Sequence, residues 1–262
     1  MKYLFTVSGL RRLCDAVERE TLCVFDFDGT LAPIVARPDD VRLPAPVRER
    51  MIALCRVGKV GILTGRSLED IRPRLGFTPH YTIGNHGIEG LPGVAADDEE
   101  FVAQCRRWND ELEKLLAEGE AERGILIENK RVSLSVHYRM ALDPERSARL
   151  LQEIFNGLQP APRVMPGKYV FNLLPQGAAD KGSAMIALLE QTGAPGAVYV
   201  GDDVTDEDVF RRQRGDILGI RTDYDGASAA EFFLLGQHEM PRLLDELTRC
   251  LAASAQGAPS VP

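Results

Sequence analysis

The sequence predicts an α/β protein in which a parallel sheet, covered by helices on both faces, is interrupted by a smaller α+β domain. Short apolar segments alternate with segments of helical spacing at both ends of the 262-residue chain, as in a parallel sheet. The middle of the chain breaks this alternation. Three polar motifs, DFDGT, LTGR and GDDVTD, directly follow apolar segments, and sites in such sheets lie beyond the carboxyl ends of the strands.

The first half of the predicted sheet begins with TLCVFDFDGT at 21–30. An apolar run there ends in two aspartates and a Gly-Thr turn, which indicates a buried strand that leads into a loop. A helix that starts with a proline is predicted over 46–57, and a short strand over 59–63. A helix over 67–75 and a strand over 81–84 continue the alternation.

The second half of the sheet is predicted near the other end of the chain. Three short apolar strands are expected at 197–200, 217–220 and 232–235. Helices over 180–192 and 206–213 alternate with them.

The intervening segment follows a different order, with one helix and two strands occurring twice. Helices are predicted over 97–118 and 144–155, with strands over 125–128, 132–138, 163–165 and 169–173. This order suits a small antiparallel sheet with helices on one face. We therefore expect a core formed by 1–91 and 176–253, an inserted domain over 92–175 and a disordered tail over 254–262.

Composition favours a soluble enzyme over a nucleic-acid or membrane protein. The formal net charge of −8 argues against nucleic acid or an anionic membrane as a partner. No apolar run is long enough for a membrane span or a secretory signal, so a cytoplasmic location is expected. Nothing indicates a protein partner, and a monomer is predicted.

The five cysteines are odd in number and form no CxxC pair. Neither a zinc site nor a disulfide framework is indicated. They are predicted to be small buried side chains in a reducing compartment.

Asp26 and Asp28 are the strongest chemical signal. Two residues apart in an extended segment, their side chains project to the same side, and such paired charges are costly without a cation between them. With a metal present, one carboxylate can attack a phosphorus atom while the other manages a proton.

Three further groups of residues fit phosphate chemistry. Thr64 ends a strand with a hydroxyl that suits a phosphate oxygen, and Lys181 adds a positive charge at a helix start. Asp202, Asp203 and Asp206 concentrate hard oxygen ligands that suit magnesium. Asp203 or Asp206 can alternatively cap the helix that follows.

In their order along the chain, DxDGT, Thr64, Lys181 and GDDxxD resemble the four motifs of the haloacid dehalogenase superfamily. The resemblance implies a Rossmann-like core with a C2-type cap of αββαββ order. It implies that Asp26 is the nucleophile and Asp28 the general acid and base, while Thr64 and Lys181 hold the phosphoryl group. Mg²⁺ would be bound by Asp26, the backbone carbonyl of Asp28 and Asp202, with Asp203 and Asp206 in support.

The inserted segment concentrates polar residues at its predicted strand ends, which suits a ligand rich in hydroxyls. With GNHG, ENKR, SVHYR and PGKYV, the chain resembles the trehalose-6-phosphate phosphatases over nearly its whole length. The resemblance implies these sugar-phosphate contacts: Arg66, Asn85, His86, Glu128, Lys130, His137 and Lys168. The chain departs from the family at Asn172, since a glutamate is usual near this position. An amide can still exchange hydrogen bonds with sugar hydroxyls, but these bonds are weaker than those of a carboxylate.

The expected reaction is hydrolysis of trehalose 6-phosphate through an aspartyl phosphate. A phosphatase for sucrose phosphate or mannosyl phosphoglycerate is the first alternative, and a sugar phosphomutase the second. A non-catalytic sensor is disfavoured, because it would not need both Asp26 and Asp28.

Overall fold

The computed structural model describes residues 1–35, 37, 40–91, 99–117, 124–167, 169–212 and 215–256. The chain divides into two compact units. The core unit comprises 1–94 and 180–262, and the insert unit comprises 95–179. These bounds lie a few residues from the predicted ones.

The strands and helices are numbered in chain order. The strands are β1 (Lys2–Tyr3), β2 (Leu22–Phe25), β3 (Lys59–Leu63), β4 (Tyr81–Ile83), β5 (Leu126–Asn129), β6 (Leu134–His137), β7 (Arg163–Gly167), β8 (Val170–Leu174), β9 (Ala197–Gly201), β10 (Ile217–Arg221) and β11 (Phe232–Phe233). The helices are α1 (Val7–Ala16), α2 (Ala45–Val57), α3 (Leu68–Leu75), α4 (Glu99–Leu116), α5 (Pro144–Gly157), α6 (Lys181–Thr192), α7 (Glu207–Phe210) and α8 (Met240–Gln256). Short 3₁₀ turns cover Asn85–Gly87, Val204–Asp206 and Gln237–Glu239.

The core unit contains a parallel sheet of seven strands in the order β1-β11-β10-β9-β2-β3-β4. All four residues of β2 are buried, because helices cover both faces of the sheet. Cys23 and Phe25 belong to one apolar cluster with residues of α1, α2 and α8, whereas Leu22 and Val24 belong to another with residues of α6. The predicted α/β core is confirmed.

The insert unit contains an antiparallel sheet in the order β5-β6-β8-β7. Its apolar cluster joins Trp108 of α4 and Phe155 of α5 to Val136 and Phe171 of the sheet. Both helices therefore pack on one face of this sheet, as the predicted αββαββ order requires.

Several predicted elements were wrong or incomplete. The predicted strand 232–235 is limited to Phe232–Phe233, and the predicted helix 206–213 is a 3₁₀ turn followed by the four residues of α7. Strand β1 and helices α1 and α8 were not predicted. Since α8 continues to Gln256, the predicted disordered tail is wrong for 254–256, and 257–262 lie outside the described residues.

A disulfide bond joins Cys14 of α1 to Cys250 of α8. The expectation that no cysteines pair is therefore wrong for these two, while Cys23, Cys55 and Cys105 are free thiols. The bond spans 236 positions, so no short spacing motif could have indicated it. In the part of the chain that is described, no helix has the length and apolar character needed to cross a membrane.

Candidate active site

The candidate site lies in the core unit, at the carboxyl ends of three adjacent parallel strands. β2 pairs with β3 on one side and with β9 on the other. The loops that follow carry Asp26 and Asp28 after β2, Thr64 and Arg66 after β3, and Asp202 after β9. Strand pairing therefore brings together motifs that are far apart in sequence.

Asp26 and Lys181 form a buried ion pair at the centre of this site. The Lys181 Nζ atom lies 2.8 Å from Asp26 Oδ1 and 2.8 Å from Asp206 Oδ1. Asp26 is 4% exposed and Lys181 2%. Lys181 begins α6, and the capping box between Asp180 and Ser183 fixes the start of that helix.

Asp206 holds the loop after β9 in place. Its Oδ1 atom also accepts a hydrogen bond from the Tyr199 hydroxyl at 2.6 Å. Its Oδ2 atom accepts hydrogen bonds from the backbone N–H groups of Asp202, at 2.8 Å, and Asp203, at 2.9 Å. With Lys181, four donors reach this buried carboxylate, so Asp206 mainly positions its neighbours.

The negative charge in this cluster exceeds what Lys181 balances. Burial raises the pKa of Asp26 to about 7 against the opposing charge of Lys181, and Asp206 adds to the rise. Burial and the charges of Asp26 and Asp206 raise the pKa of Asp202 well above its usual range, and burial also raises the pKa of Asp203. A cation beside these carboxylates would favour their ionised forms.

A divalent cation fits this donor set. Carboxylate oxygens of Asp26, Asp202 and Asp206 lie within 4.8 Å of one another, and hard oxygen donors suit small divalent ions. Asp26 and Asp202 are the better ligands, since the hydrogen bonds described above occupy both oxygens of Asp206. The site is therefore suited to a metal ion.

The turn after β2 is built around Asp202. The Thr30 hydroxyl donates to Asp202 Oδ1 at 2.9 Å. Gly29 has a φ of +82°, and a Cβ atom placed there would lie 2.1 Å from Asp202 Oδ2. Only glycine suits both the left-handed backbone and this close approach, which accounts for the glycine of DFDGT.

Arg66 binds Asp28 through both oxygens of the carboxylate. Arg66 Nε lies 2.6 Å from Asp28 Oδ2, and Arg66 Nη2 lies 2.7 Å from Asp28 Oδ1. Arg66 Nη1 contacts Asp70 Oδ2 at 2.5 Å, and Asp70 Oδ1 accepts from Arg74. The Asp28 side chain remains 35% exposed, so solvent can reach the group predicted to transfer protons.

Thr64, Asn85 and His86 form one buried loop cluster. The Thr64 hydroxyl accepts from the Arg66 N–H at 3.2 Å, and the Thr64 carbonyl accepts from the His86 N–H at 3.0 Å. Asn85 is fully buried, and its side-chain amide donates to Glu89 at 2.7 Å. A Cβ atom on Gly65 would lie 2.5 Å from the His86 ring. Asn85 and His86 both have positive φ angles. The turn that they form packs against the LTGR loop and helps to fix its conformation.

Three of the predicted sugar contacts of the inserted segment, Glu128, His137 and Asn172, lie on one face of the insert-unit sheet. His137 Nε2 lies 3.0 Å from Glu128 Oε2, and Lys130 Nζ lies 3.8 Å from the same oxygen. The Ser135 hydroxyl donates to Asn172 Oδ1 at 2.6 Å, and Asn172 is 8% exposed. Lys168 lies outside the described residues.

The trehalose-phosphatase family model matches residues 24–231, which is most of the chain and includes every core motif described above. The chain belongs to the trehalose-phosphatase family.

Curated members of this family are similar to the chain over most of its length. A probable trehalose-phosphate phosphatase 4 of Oryza sativa subsp. japonica is 32% identical over 216 residues, covering 77% of this chain and 58% of its own length. A trehalose-phosphate phosphatase of Mycolicibacterium paratuberculosis is 32% identical over 248 residues, covering 89% and 62% respectively. The chain thus spans about 60% of the length of these relatives.

Solved structures of trehalose-phosphatases have the same fold. The C-terminal domain of a Candida albicans trehalose-6-phosphate phosphatase superposes with a TM-score of 0.76 at 20% sequence identity. The superposition covers 97% of this chain and 99% of that domain. At this identity the likeness concerns the fold alone.

Several residues of this site were not predicted from the sequence. Asp70 and Arg74 continue from Arg66 at intervals of four residues, a spacing that could have indicated a charged row on one helix face. No sequence motif marks Tyr199 as a site residue. Its position in a predicted buried strand indicates only that its hydroxyl needs a hydrogen-bond partner. Ser135 was not predicted as a site residue, because it lies among the apolar residues of a predicted strand.

Proposed function

We propose that this chain hydrolyses trehalose 6-phosphate to trehalose and inorganic phosphate. The proposal rests above all on one observation. The buried Asp26 carboxylate is held by Lys181 beside Asp202, at the carboxyl ends of the central strands. Membership of the trehalose-phosphatase family supports the same reaction.

In the first step, a carboxylate oxygen of Asp26 attacks phosphorus, and the bond from phosphorus to the sugar oxygen breaks. Asp28 gives its proton to the departing sugar oxygen, so that trehalose leaves as a neutral alcohol. The product on the protein is an aspartyl phosphate.

In the second step, Asp28 acts as a general base. It takes a proton from a water molecule whose oxygen attacks phosphorus, while the bond between phosphorus and Asp26 breaks. Inorganic phosphate is released, Asp26 is again a carboxylate, and Asp28 again carries a proton. Both steps are therefore balanced without a further reactant.

Lys181 and Thr64 are assigned to the transferred phosphoryl group. Lys181 places a fixed positive charge beside Asp26, where negative charge accumulates during an in-line displacement. Thr64 is buried in the adjoining loop and offers a hydroxyl to a phosphate oxygen.

We assign the metal as Mg²⁺, held by Asp26, the backbone carbonyl of Asp28 and Asp202, with Asp203 and Asp206 in support. When bound, it would neutralise the charge of the phosphate oxygens. The raised pKa values of Asp26 and Asp202 support a cation at this position.

Sugar recognition is assigned mainly to the insert unit. The pair of Glu128 and His137, with Lys130 nearby, offers one acceptor and two donors to sugar hydroxyls. Lys168 and Asn172 are proposed to assist them. In the core unit, we assign Arg66, Asn85 and His86 to shaping the phosphate side of the site. Arg66 binds Asp28, Asn85 donates to Glu89, and the His86 N–H donates to the Thr64 carbonyl.

The chain is proposed to act as a monomer in the cytoplasm. The free thiols Cys23, Cys55 and Cys105 suit a reducing compartment, whereas the Cys14–Cys250 bond is more typical of an oxidising one. Cell fractionation with thiol labelling tests the location, and sedimentation tests the oligomeric state.

Release of inorganic phosphate from a panel of sugar phosphates, with Mg²⁺ and with a chelator, tests the function. We expect a strong, Mg²⁺-dependent preference for trehalose 6-phosphate. A preference for sucrose phosphate or mannosyl phosphoglycerate would keep the mechanism and change the substrate. Phosphate transfer only in the presence of a sugar bisphosphate would favour a mutase.

The nucleophile is tested with Asp26→Asn. We expect turnover to fall at least about 10⁴-fold, because an amide cannot form the acyl phosphate, while circular dichroism shows an intact fold. Exposed Asp223→Asn is the matched control and should turn over like the wild type. Appreciable activity of Asp26→Asn would refute the assignment.

A further inference from the structure

A row of alternating charges leads from helix α3 to Asp28. Arg74 donates to Asp70 Oδ1, and Asp70 Oδ2 accepts from Arg66. Arg66 then binds Asp28 through two hydrogen bonds. Asp70 and Arg74 are four residues apart in α3, so they lie on the same face of that helix, and Arg66 directly precedes its N-cap residue Ser67.

The guanidinium of Arg66 is held from two sides. Its Nε and Nη2 atoms face Asp28, and its Nη1 atom faces Asp70. A planar guanidinium presents these donors in a fixed arrangement. Fixing Nη1 on Asp70 therefore fixes the direction in which the other two donors point.

The proposed chemistry requires Asp28 to change its contacts with Arg66. In the observed arrangement both oxygens of Asp28 accept hydrogen bonds from Arg66. An oxygen that carries a proton cannot accept as before, so one of these bonds must weaken whenever Asp28 is protonated. Arg66 would then lose part of its anchor unless another group held it.

Asp70 has the character of such an anchor. Burial alone would raise the pKa of Asp70, yet the hydrogen bonds from Arg74 and Arg66 outweigh it and hold the pKa below its usual range. The Arg74 side chain is 11% exposed and that of Arg66 10%, so these contacts are shielded from solvent. Charge-assisted hydrogen bonds of this kind hold their geometry well.

We propose that Asp70 and Arg74 are positioning residues that act through Arg66 to keep Asp28 aligned during both proton transfers. The inference rests on the proposed function, since it takes Asp28 as the general acid and base. It adds two residues of α3, of which Asp70 contacts Arg66 and Arg74 contacts Asp70. Supporting groups of this type commonly affect activity about 10- to 100-fold.

The test compares Asp70→Asn and Arg74→Gln with two controls on the same helix. Glu69→Gln removes an exposed carboxylate from the same first turn, and Arg72→Gln removes an exposed guanidinium from the last turn. With trehalose 6-phosphate we expect kcat to fall about 10- to 100-fold for the test variants, with KM changed less than about threefold. Both controls should match the wild type.

A substrate with a good leaving group separates positioning from general damage. Dinitrophenolate leaves without a proton, so phosphorylation of Asp26 by dinitrophenyl phosphate does not need Asp28, whereas hydrolysis of the aspartyl phosphate does. For Asp70→Asn we therefore expect a burst of dinitrophenolate at a rate within about twofold of wild type, followed by slow turnover. Equal losses in both phases would overturn the inference.

A double variant tests whether Asp70 acts through Asp28. If it does, Asp70→Asn should cost little more in an Asp28→Asn background, and Asp70→Glu should restore part of the single-variant loss. The inference would be refuted, with the proposed function intact, if the losses of Asp70→Asn and Asp28→Asn were additive in the double variant. It would also be refuted if Asp70→Asn were as active as the control Glu69→Gln. A wild type that releases no phosphate from trehalose 6-phosphate would refute the proposed function itself.

Discussion

The ionisation of Asp26 depends on the residues that surround it. Lys181 favours the carboxylate, while burial and the charge of Asp206 disfavour it, and the balance raises its pKa to about 7. The proposed role of Asp26 as a nucleophile requires its ionised form, which the metal-free site populates only in part near neutral pH. A bound cation would complete this ionisation.

The same balance predicts how stability changes with pH. A carboxyl whose pKa is raised on folding binds more protons in the native than in the unfolded protein between its usual pKa, about 4, and its native one. The metal-free protein should therefore lose stability as the pH rises from about 4 to about 7 because of Asp26. The raised pKa of Asp202 acts in the same direction. Mg²⁺ binds the ionised forms, so its stabilising effect should grow over the same range.

Thermal unfolding with Mg²⁺ and with a chelator measures this effect. We expect a larger increase in Tm on adding Mg²⁺ at about pH 7.5 than at about pH 5. Asp202→Asn should lose most of the increase, whereas the exposed Asp223→Asn should keep it. An increase of equal size at both pH values would contradict a metal site built on these carboxylates.

At the scale of elements, the sheet of the insert unit has two different faces. Val136 and Phe171 on one face pack with α4 and α5. Glu128, Ser135 and Asn172 lie in register across β5, β6 and β8, and the alternation of a strand places them on the opposite face. One face of this sheet therefore forms the apolar core of the insert unit, and the other face presents polar side chains.

This division predicts a substrate-dependent effect for Glu128→Ala and Lys130→Ala. Both should lower kcat/KM for trehalose 6-phosphate at least about tenfold, because hydrogen bonds to sugar hydroxyls are lost. A small aryl phosphate, which has no such hydroxyls, should be affected far less. Glu153→Gln removes an exposed carboxylate from α5 and serves as the control. Equal losses on both substrates would mean that Glu128 and Lys130 serve folding instead.

Helices α1 and α8 are joined by the Cys14–Cys250 disulfide. Such a bond restricts the unfolded chain, and its removal typically costs about 2–4 kcal/mol. Cys14→Ser with Cys250→Ser, or treatment with a reductant, should therefore lower the denaturant midpoint of the core unit. The reductant should not affect the double variant further. An unchanged midpoint would show that the packing of α1 on α8 suffices.

At the scale of the whole molecule, local patterns predicted most elements and the loops that carry the site. The apolar run before Asp26 and the helical pattern over 180–192 are each contained in a short stretch of consecutive residues. Strand order could not be predicted in this way, because Val24 pairs with Tyr199 across most of the chain. The bidentate contact between Arg66 and Asp28 depends on the pairing of β2 with β3, which the local patterns do not specify either.

The missed helices have separate physical causes. Helix α1 has only ten residues and buries only Gly9 and Leu13. Helix α8 ends in small residues that suggested a flexible tail, although alanine is the strongest helix former. No local sequence motif indicates the disulfide between these helices, because its two cysteines are 236 positions apart.

The central position of β2 also has a consequence for folding. Its register with β9 joins segments separated by the entire insert unit, and closing so long a loop must precede any close approach of Asp26 to Lys181 and Asp206. A nascent or partly folded chain therefore carries Asp26, the proposed nucleophile, without the groups that surround it in the folded protein. Catalysis can begin only when the two ends of the core have met, so recovered activity after denaturation reports completed assembly of the sheet.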